Sequence, residues 1–253
     1  MPNYNNTVHP RPHRLSLEEI RDGCVTISQG DKLETRICIA QEELRQGIDT
    51  ISLYPKSVTM YGSARLGPGT EYYELARSIA SRIVTELGYA VITGGGPGIM
   101  EAANRGAIEA GGESIGLTIK LPHEQSTNLY VNVEVPFYYF FTRKTTMSFS
   151  SLCYLAFPGG FGTFDEIFEI ITLMQTGKIP RIPIVLVGHR FWDPLVVAIK
   201  NVLYHEFKTV SASDMRLFII TDDINVIMDT VRNAPERSEY NLDVENESAD
   251  FAE

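Results

Sequence analysis

The stretch FPGGFGTFDE, Phe157 to Glu166, sets three glycines, a threonine and two adjacent carboxylates where an apolar run gives way to a helical pattern. Gly159, Gly160 and Gly162 let the backbone approach a ligand closely. The following helix start offers unpaired N–H groups and the positive end of a dipole, so the stretch can cradle an anion. Thr163 and Glu166 also have the spacing of a T-x-x-E capping box, which gives the segment a structural reading: the two side chains start the helix. A capping box requires neither three preceding glycines nor two adjacent acids. Phosphate and carboxylate repel at close range, so they share a site only if phosphate anchors one end of a substrate and Glu166 answers positive charge developing at the other. Breaking an N-glycosidic bond develops that charge at the anomeric carbon, through an oxocarbenium-like transition state. A nucleoside 5'-monophosphate meets both conditions. Its phosphate sits at Gly159, Gly160, Gly162 and Thr163, and its C1' near Glu166, which stabilises the sugar cation, orients attacking water or does both.

Other residues fit around that substrate. Arg143 and Lys144, in YYFFTRKTT, are the nearest cationic candidates in type. Arginine stays protonated at any working pH, so Arg143 is a clamp for phosphate, ribose or the partner carboxylate rather than a proton donor; the plain alternative is a solvent-facing Arg–Lys pair. The aromatic run Phe137 to Phe141 serves as core or subunit interface, or lends one ring to a purine. TGGGPGIMEAANRGA is a second glycine-rich turn, where Gly95 and Gly96 permit close approach and Glu101 either holds a ribose hydroxyl or compensates the helix dipole. In MYGSAR, Ser63 either contacts phosphate or sugar or caps a tight turn. His123 belongs to a loop near the site mouth, with a general-acid role as the alternative, while His189 and His205 read as surface or satisfied histidines. No His, Asp, Glu and Cys group has metal-ligand spacing, so neither metal nor cofactor is expected.

Such loops need a scaffold. From SVTMYG onward, short continuously apolar runs (YAVITGGG, SIGLTI, VNVEV, CYLAF, IPIVLVG, LFIIT) alternate with helical patterns, the first of which ends at Gly88. That alternation predicts an α/β chain, a Rossmann-like doubly wound parallel sheet with helices on both faces, and ligands beyond the carboxyl ends of its strands. Residues 58–233 are assigned to this nucleotide-hydrolase domain. Residues 15–57 form a helical accessory segment of short helices packed on it, with Ser16 and Glu19 as a capping box. Residues 1–14 are expected to be disordered. So is the tail 234–253, with one basic residue against seven acidic ones.

The 253 residues, 43% of them hydrophobic, suffice for one large core, and the formal charge of −10 without a long basic run argues against nucleic acid and anionic membranes as partners. No signal-peptide core or membrane-length apolar window is present, and Cys24, Cys38 and Cys153 are odd in number and scattered. Reduced thiols and a cytoplasmic location are expected.

Taken together, GGGPGIMEAANRGA, the RK pair and PGGFGTFDE resemble the Lonely guy family of cytokinin-activating phosphoribohydrolases, over roughly residues 58–178. The resemblance implies a Rossmann-like fold and hydrolysis of nucleoside 5'-monophosphates, AMP and N6-prenylated AMP among them, to free base and ribose 5-phosphate. It puts the essential arginine on Arg143, the glutamate ending PGGxGTxxE on Glu166, and phosphate binding on Gly159, Gly160, Gly162 and Thr163. Asp165 stands where the family commonly has glutamate. The resemblance also implies a homo-oligomer, at least a dimer. Some members carry a lysine decarboxylase label, but that chemistry needs a lysine Schiff base with pyridoxal phosphate, and neither Lys120, Lys144 nor Lys178 has a suitable setting. A non-catalytic nucleotide-binding or carrier protein on the same scaffold is the alternative from another class.

Overall fold

The computed structural model describes residues 14–121 and 126–236. The expectation for residues 1–14 therefore falls, apart from Arg14, outside the described residues, as does that for the tail beyond Glu236. Two helices, α1 (Leu17–Ile27) and α2 (Lys32–Ser52), precede an alternating series. It runs β1 (Ser57–Tyr61), α3 (Glu71–Arg82), β2 (Ala90–Thr93), α4 (Ile99–Glu109), β3 (Ser114–Ile119), β4 (Val133–Phe137), α5 (Phe140–Ser148), β5 (Cys153–Ala156), α6 (Phe161–Gln175), β6 (Ile184–Leu186), α7 (His189–Ile199), β7 (Ile219–Ile220) and α8 (Ile224–Arg232).

The seven strands form one parallel sheet in the order β4-β3-β2-β1-β5-β6-β7. Every residue of β1, β2 and β5 is buried, which is why these runs read as continuously apolar rather than alternating. Successive side chains feed two cores. Val58 and Met60 of β1 pack with α3, α4 and α8, whereas Tyr61 joins α5, α6 and α7 on the opposite face. The chain is thus the expected Rossmann-like α/β fold. Its strand order reverses between β1 and β5, the position at which open α/β sheets place their ligands.

Local signals act as their chemistry dictates. Ser16 Oγ accepts from Glu19 N at 3.2 Å and Glu19 Oε2 accepts from Ser16 N at 2.8 Å, the reciprocal pair of a capping box. The α3 helix continues through a wider turn, residues 83–87, and stops at Gly88, whose φ of 69° suits glycine. The accessory segment contains one short helix and one of 21 residues, α2.

The cysteines differ from expectation. Cys24 and Cys38 form a disulfide, with Cα atoms 5.6 Å apart, and only Cys153, buried in β5, is free. The turn between α1 and α2 folds the two helices against each other and brings together positions 14 apart, a proximity that spacing without a CxxC pair does not reveal. Among the described residues, no helix is long and apolar enough to cross a membrane.

Candidate active site

Three loops meet at the carboxyl ends of the central strands, and Ser63 joins them. Its N–H donates to Pro158 O at 3.0 Å, and its carbonyl accepts from Ile99 N at 3.0 Å. The loops after β1, β2 and β5 are therefore one hydrogen-bonded unit. Gly98 makes this possible: its φ is +69°, and a Cβ there would run into Ser63 O and the Ala64 backbone. The Ser63 hydroxyl accepts from Arg65 N at 3.1 Å, so it serves its own turn.

The glycine loop after β2 is held from below. Thr93 Oγ1 accepts from Gly95 N at 2.9 Å and donates to Asn104 Oδ1 at 2.6 Å; the Asn104 amide donates to Ser114 Oγ at 2.8 Å. Asn128 closes the network: its backbone N–H reaches Gly95 O, and its side-chain amide reaches Gly96 O and Asn104 Oδ1, each at 2.9 Å. Sequence reasoning singles out neither asparagine. The available signal is Asn104 on the apolar face of EAANRGAIEA, where an unpartnered amide would be costly.

Arg143 and Glu166 occupy the middle of the site. Arg143, in the first turn of α5, and Glu166, in the second turn of α6, are 8% and 9% exposed. Arg143 Nε donates to Leu117 O at 2.7 Å, and its Nη1 lies 3.3 Å from Glu166 Oε1. Gly94 lies against the guanidinium, and a Cβ there would collide with Nη2. Arg143 is thus not a solvent-facing residue. Burial pushes the Glu166 carboxyl above its ordinary value; the Arg143 charge pulls it back, while Glu169 and Asp165 add to the rise. The buried Tyr61 phenol shares this environment and is pushed well up by burial first and by the Glu166 charge second. Lys144 turns to the other side of α6, 2.8 Å from Asp165 Oδ1 and 3.4 Å from Glu169 Oε2.

The start of α6 corrects the capping-box reading. The helix begins at Phe161 after an extended Gly160, with no side-chain cap hydrogen bond, and Thr163 is already a buried helical residue. Thr163 and Glu166 therefore do not start the helix. Glycines at 160 and 162 let the chain enter the helix one turn earlier than a threonine cap would, and the Glu166 carboxylate faces Arg143 instead of reaching back. Gly159 is so close to Thr163 that a Cβ would overlap its hydroxyl, whereas Gly160 and Gly162 are exposed with nothing within 4 Å of an added Cβ. The first turn carries no acidic residue, leaving an open, uncapped helix N-terminus beside Glu166.

Other candidates lie further out. Glu101 Oε1 accepts from the Tyr73 hydroxyl at 2.8 Å, which ties it to α3. His189 is exposed, with Nδ1 3.1 Å from Asp193, and His123 lies outside the described residues. A cavity of about 230 Å³ opens beside Gly94, Gly95 and Gly96, with Lys120, Thr127 and Leu17 on its walls. Leu17 comes from α1, so the accessory segment closes one side of it.

The protein-family model described as "Possible lysine decarboxylase" matches residues 100–231, just over half of the 253 residues. Among curated proteins, the chain is similar to the cytokinin riboside 5'-monophosphate phosphoribohydrolase of Rhodococcoides fascians, 28% identical over 175 residues, 66% of this chain and 85% of that protein. Two Arabidopsis thaliana proteins of the same name are also similar. One, LOG5, is 29% identical over 48% of this chain and 54% of its own length; the other, LOG2, is 27% identical over 68% and 79%. Among solved structures, the molybdenum cofactor binding protein of Rippkaea orientalis superposes with a TM-score of 0.52 at 17% identity, over 70% of this chain and 95% of that one. The Moco carrier protein of Chlamydomonas gives 0.51 at 22% identity over the same shares. At such identities the structures attest the fold alone. The PGGFGTFDE loop, the buried Arg143 and the matched span agree, and the chain belongs to the Lonely guy family, whose family model bears the lysine decarboxylase description.

Proposed function

We propose that the protein hydrolyses the N-glycosidic bond of a nucleoside 5'-monophosphate, AMP or an N6-modified AMP such as a cytokinin riboside monophosphate, to free base and ribose 5-phosphate. The observation that carries this reading is the buried Arg143–Glu166 contact beside an uncapped helix start at the switch point of the sheet. The phosphate rests on Gly159, Gly160, Gly162 and Thr163 at the start of α6, within the glycine unit that includes Ser63, Gly95 and Gly96. C1' then lies toward Glu166. As the C1'–N bond breaks, its electron pair leaves with the base and the ionised Glu166 stabilises the positive sugar. A water oxygen oriented by the same carboxylate bonds to C1', and the proton that water gives up to Glu166 passes through solvent to the base nitrogen, which leaves as the neutral free base. Arg143 keeps that carboxylate oriented and offsets part of its desolvation. Lys144 acts from the outer side of α6, and Glu101 supports the ribose end from α4.

A pyridoxal-phosphate decarboxylase needs a lysine amine that can lose its proton. Burial alone would lower Lys144, but the Asp165 hydrogen bond and the Glu169 and Asp165 charges outweigh it and hold the ammonium above its ordinary value. The cofactor binding named for one solved structure and the carrier function named for the other belong to those proteins. A pure anion carrier would be better served without a buried carboxylate at the mouth of its cradle. Exposed Phe140, Phe141 and Phe161, the last 97% exposed, flank the site and fit the proposed dimer or larger homo-oligomer.

The test is incubation of the purified protein with AMP, N6-isopentenyl-AMP and adenosine, following base and ribose 5-phosphate by chromatography. Base release from the nucleotides and little from adenosine is expected. Nucleotide binding without any release would replace the hydrolase with a carrier.

A further inference from the structure

Glu43 lies on α2, outside the span matched by the family model, and is 0% exposed. A carboxylate is seldom fully buried without strong partners. Its partners here are the donors at one helix start. Glu43 Oε1 accepts from Tyr138 N at 2.6 Å, and Oε2 accepts from Tyr139 N at 3.3 Å and from Thr142 Oγ1 at 2.6 Å. Tyr139 is the cap position of α5 and supplies no side-chain cap of its own. An acidic group from a neighbouring helix therefore meets the unpaired N–H groups and the positive dipole end of α5.

The capped turn leads directly into the site. The carbonyl of Tyr139 accepts from Arg143 N at 3.3 Å, and Thr142, which Glu43 grips, immediately precedes Arg143. The grip is rigid. One turn beyond Glu43, a Cβ at Gly47 would come within 2.6 Å of Thr146 Oγ1 and 2.9 Å of Phe137 Cζ, so α2 and α5 are in close backbone approach. Gln46 in turn fixes the chain before α1, accepting from Leu15 N at 2.7 Å and donating to Leu15 O at 3.1 Å.

We propose that Glu43 is a positioning residue for Arg143: by capping α5 from α2 it sets the direction from which the guanidinium reaches both Leu117 O and Glu166. The accessory helices are then a working part of the site. The proposal rests on the hydrolase reading for its kinetic readout. Displacing a reacting group by about 1 Å costs on the order of a hundredfold in rate.

The experiment compares wild type with Glu43→Gln, which keeps the volume but loses the charge and one acceptor. It measures kcat per folded molecule and KM with AMP, and the crystal structure of the variant. The proposal expects kcat to fall about tenfold to a hundredfold with KM little changed, and the guanidinium to leave Glu166. Unchanged kcat, a loss confined to KM, or an Arg143 still seated on Leu117 O and Glu166 overturns it. If Glu43→Gln does not fold, Thr142→Val removes one of the three donors, and the same kcat criterion applies. If wild type releases no base, the hydrolase reading has failed on its own, and the position of Arg143 in the Glu43→Gln structure decides the proposal by the same criterion.

Discussion

Arg143 Nη1 and Glu166 Oε1 lie 3.3 Å apart at the centre of the fold, both about nine-tenths buried, each delivered by a different helix. Buried ion pairs are poor stabilisers, because desolvation consumes most of the attraction between the charges. Here the carboxyl stays above its ordinary value in spite of the arginine. The pair makes physical sense as a preorganised charge awaiting a cationic transition state.

This pairing makes activity depend on pH. Base release requires ionised Glu166, so the rate should fall toward acid with a midpoint above the ordinary glutamate value of about 4.5. The sign of the stability effect is opposite. With its folded-state value raised, this group binds more protons folded than unfolded between the two values, so its contribution to stability grows as pH falls. Toward acid, activity should therefore be lost while this carboxyl stabilises the fold. A pH–rate profile paired with circular dichroism checks it; parallel loss of both signals would count against the assignment.

The glycines of the cradle should separate into two kinds. Gly160→Ala meets no atom in the free protein and should leave the melting temperature nearly unchanged while raising KM for AMP, because the new methyl intrudes where phosphate docks. Gly159→Ala collides with Thr163 and should cost about 1–3 kcal/mol of stability through displacement of the first turn of α6. Thermal unfolding and steady-state kinetics on both variants test the contrast.

Gly98→Ala combines an unfavourable φ of +69° with a collision against the backbone that links the three loops. It should destabilise by about 1–3 kcal/mol or more, read as a lower denaturant midpoint.

Thiol chemistry provides an independent check on the accessory helices. Burial pushes the Cys153 thiol up to about 12, so the native protein should react with a thiol reagent hardly at all. In denaturant it should show one reactive thiol per chain without reductant and three with it. Three without reductant would contradict the Cys24–Cys38 bond, which at this loop length contributes about 3 kcal/mol.

How far the sequence alone reaches depends on whether the signal is local. Fully buried strands such as β1 and β5 announce themselves as apolar runs, and the Ser16–Glu19 box is visible because both partners lie within one turn. The same rule fails for Thr163 and Glu166. Their spacing is correct, but a buried arginine from another helix is a stronger partner for the carboxylate than a backbone amide. Arg143 itself stands out as a type, yet its burial depends on Leu117 and Gly94, which only the sheet brings near. The disulfide, the asparagine network under the glycine loop and the Glu43 cap are all contacts between elements distant in sequence. None has a periodicity from which it could be read.

The most direct test of the account is kcat for AMP in Glu166→Gln against wild type, with folding verified by circular dichroism. Loss of the carboxylate charge should lower kcat about a hundredfold to ten-thousandfold in a protein that stays folded. A folded variant with wild-type turnover would contradict the central role given to Glu166.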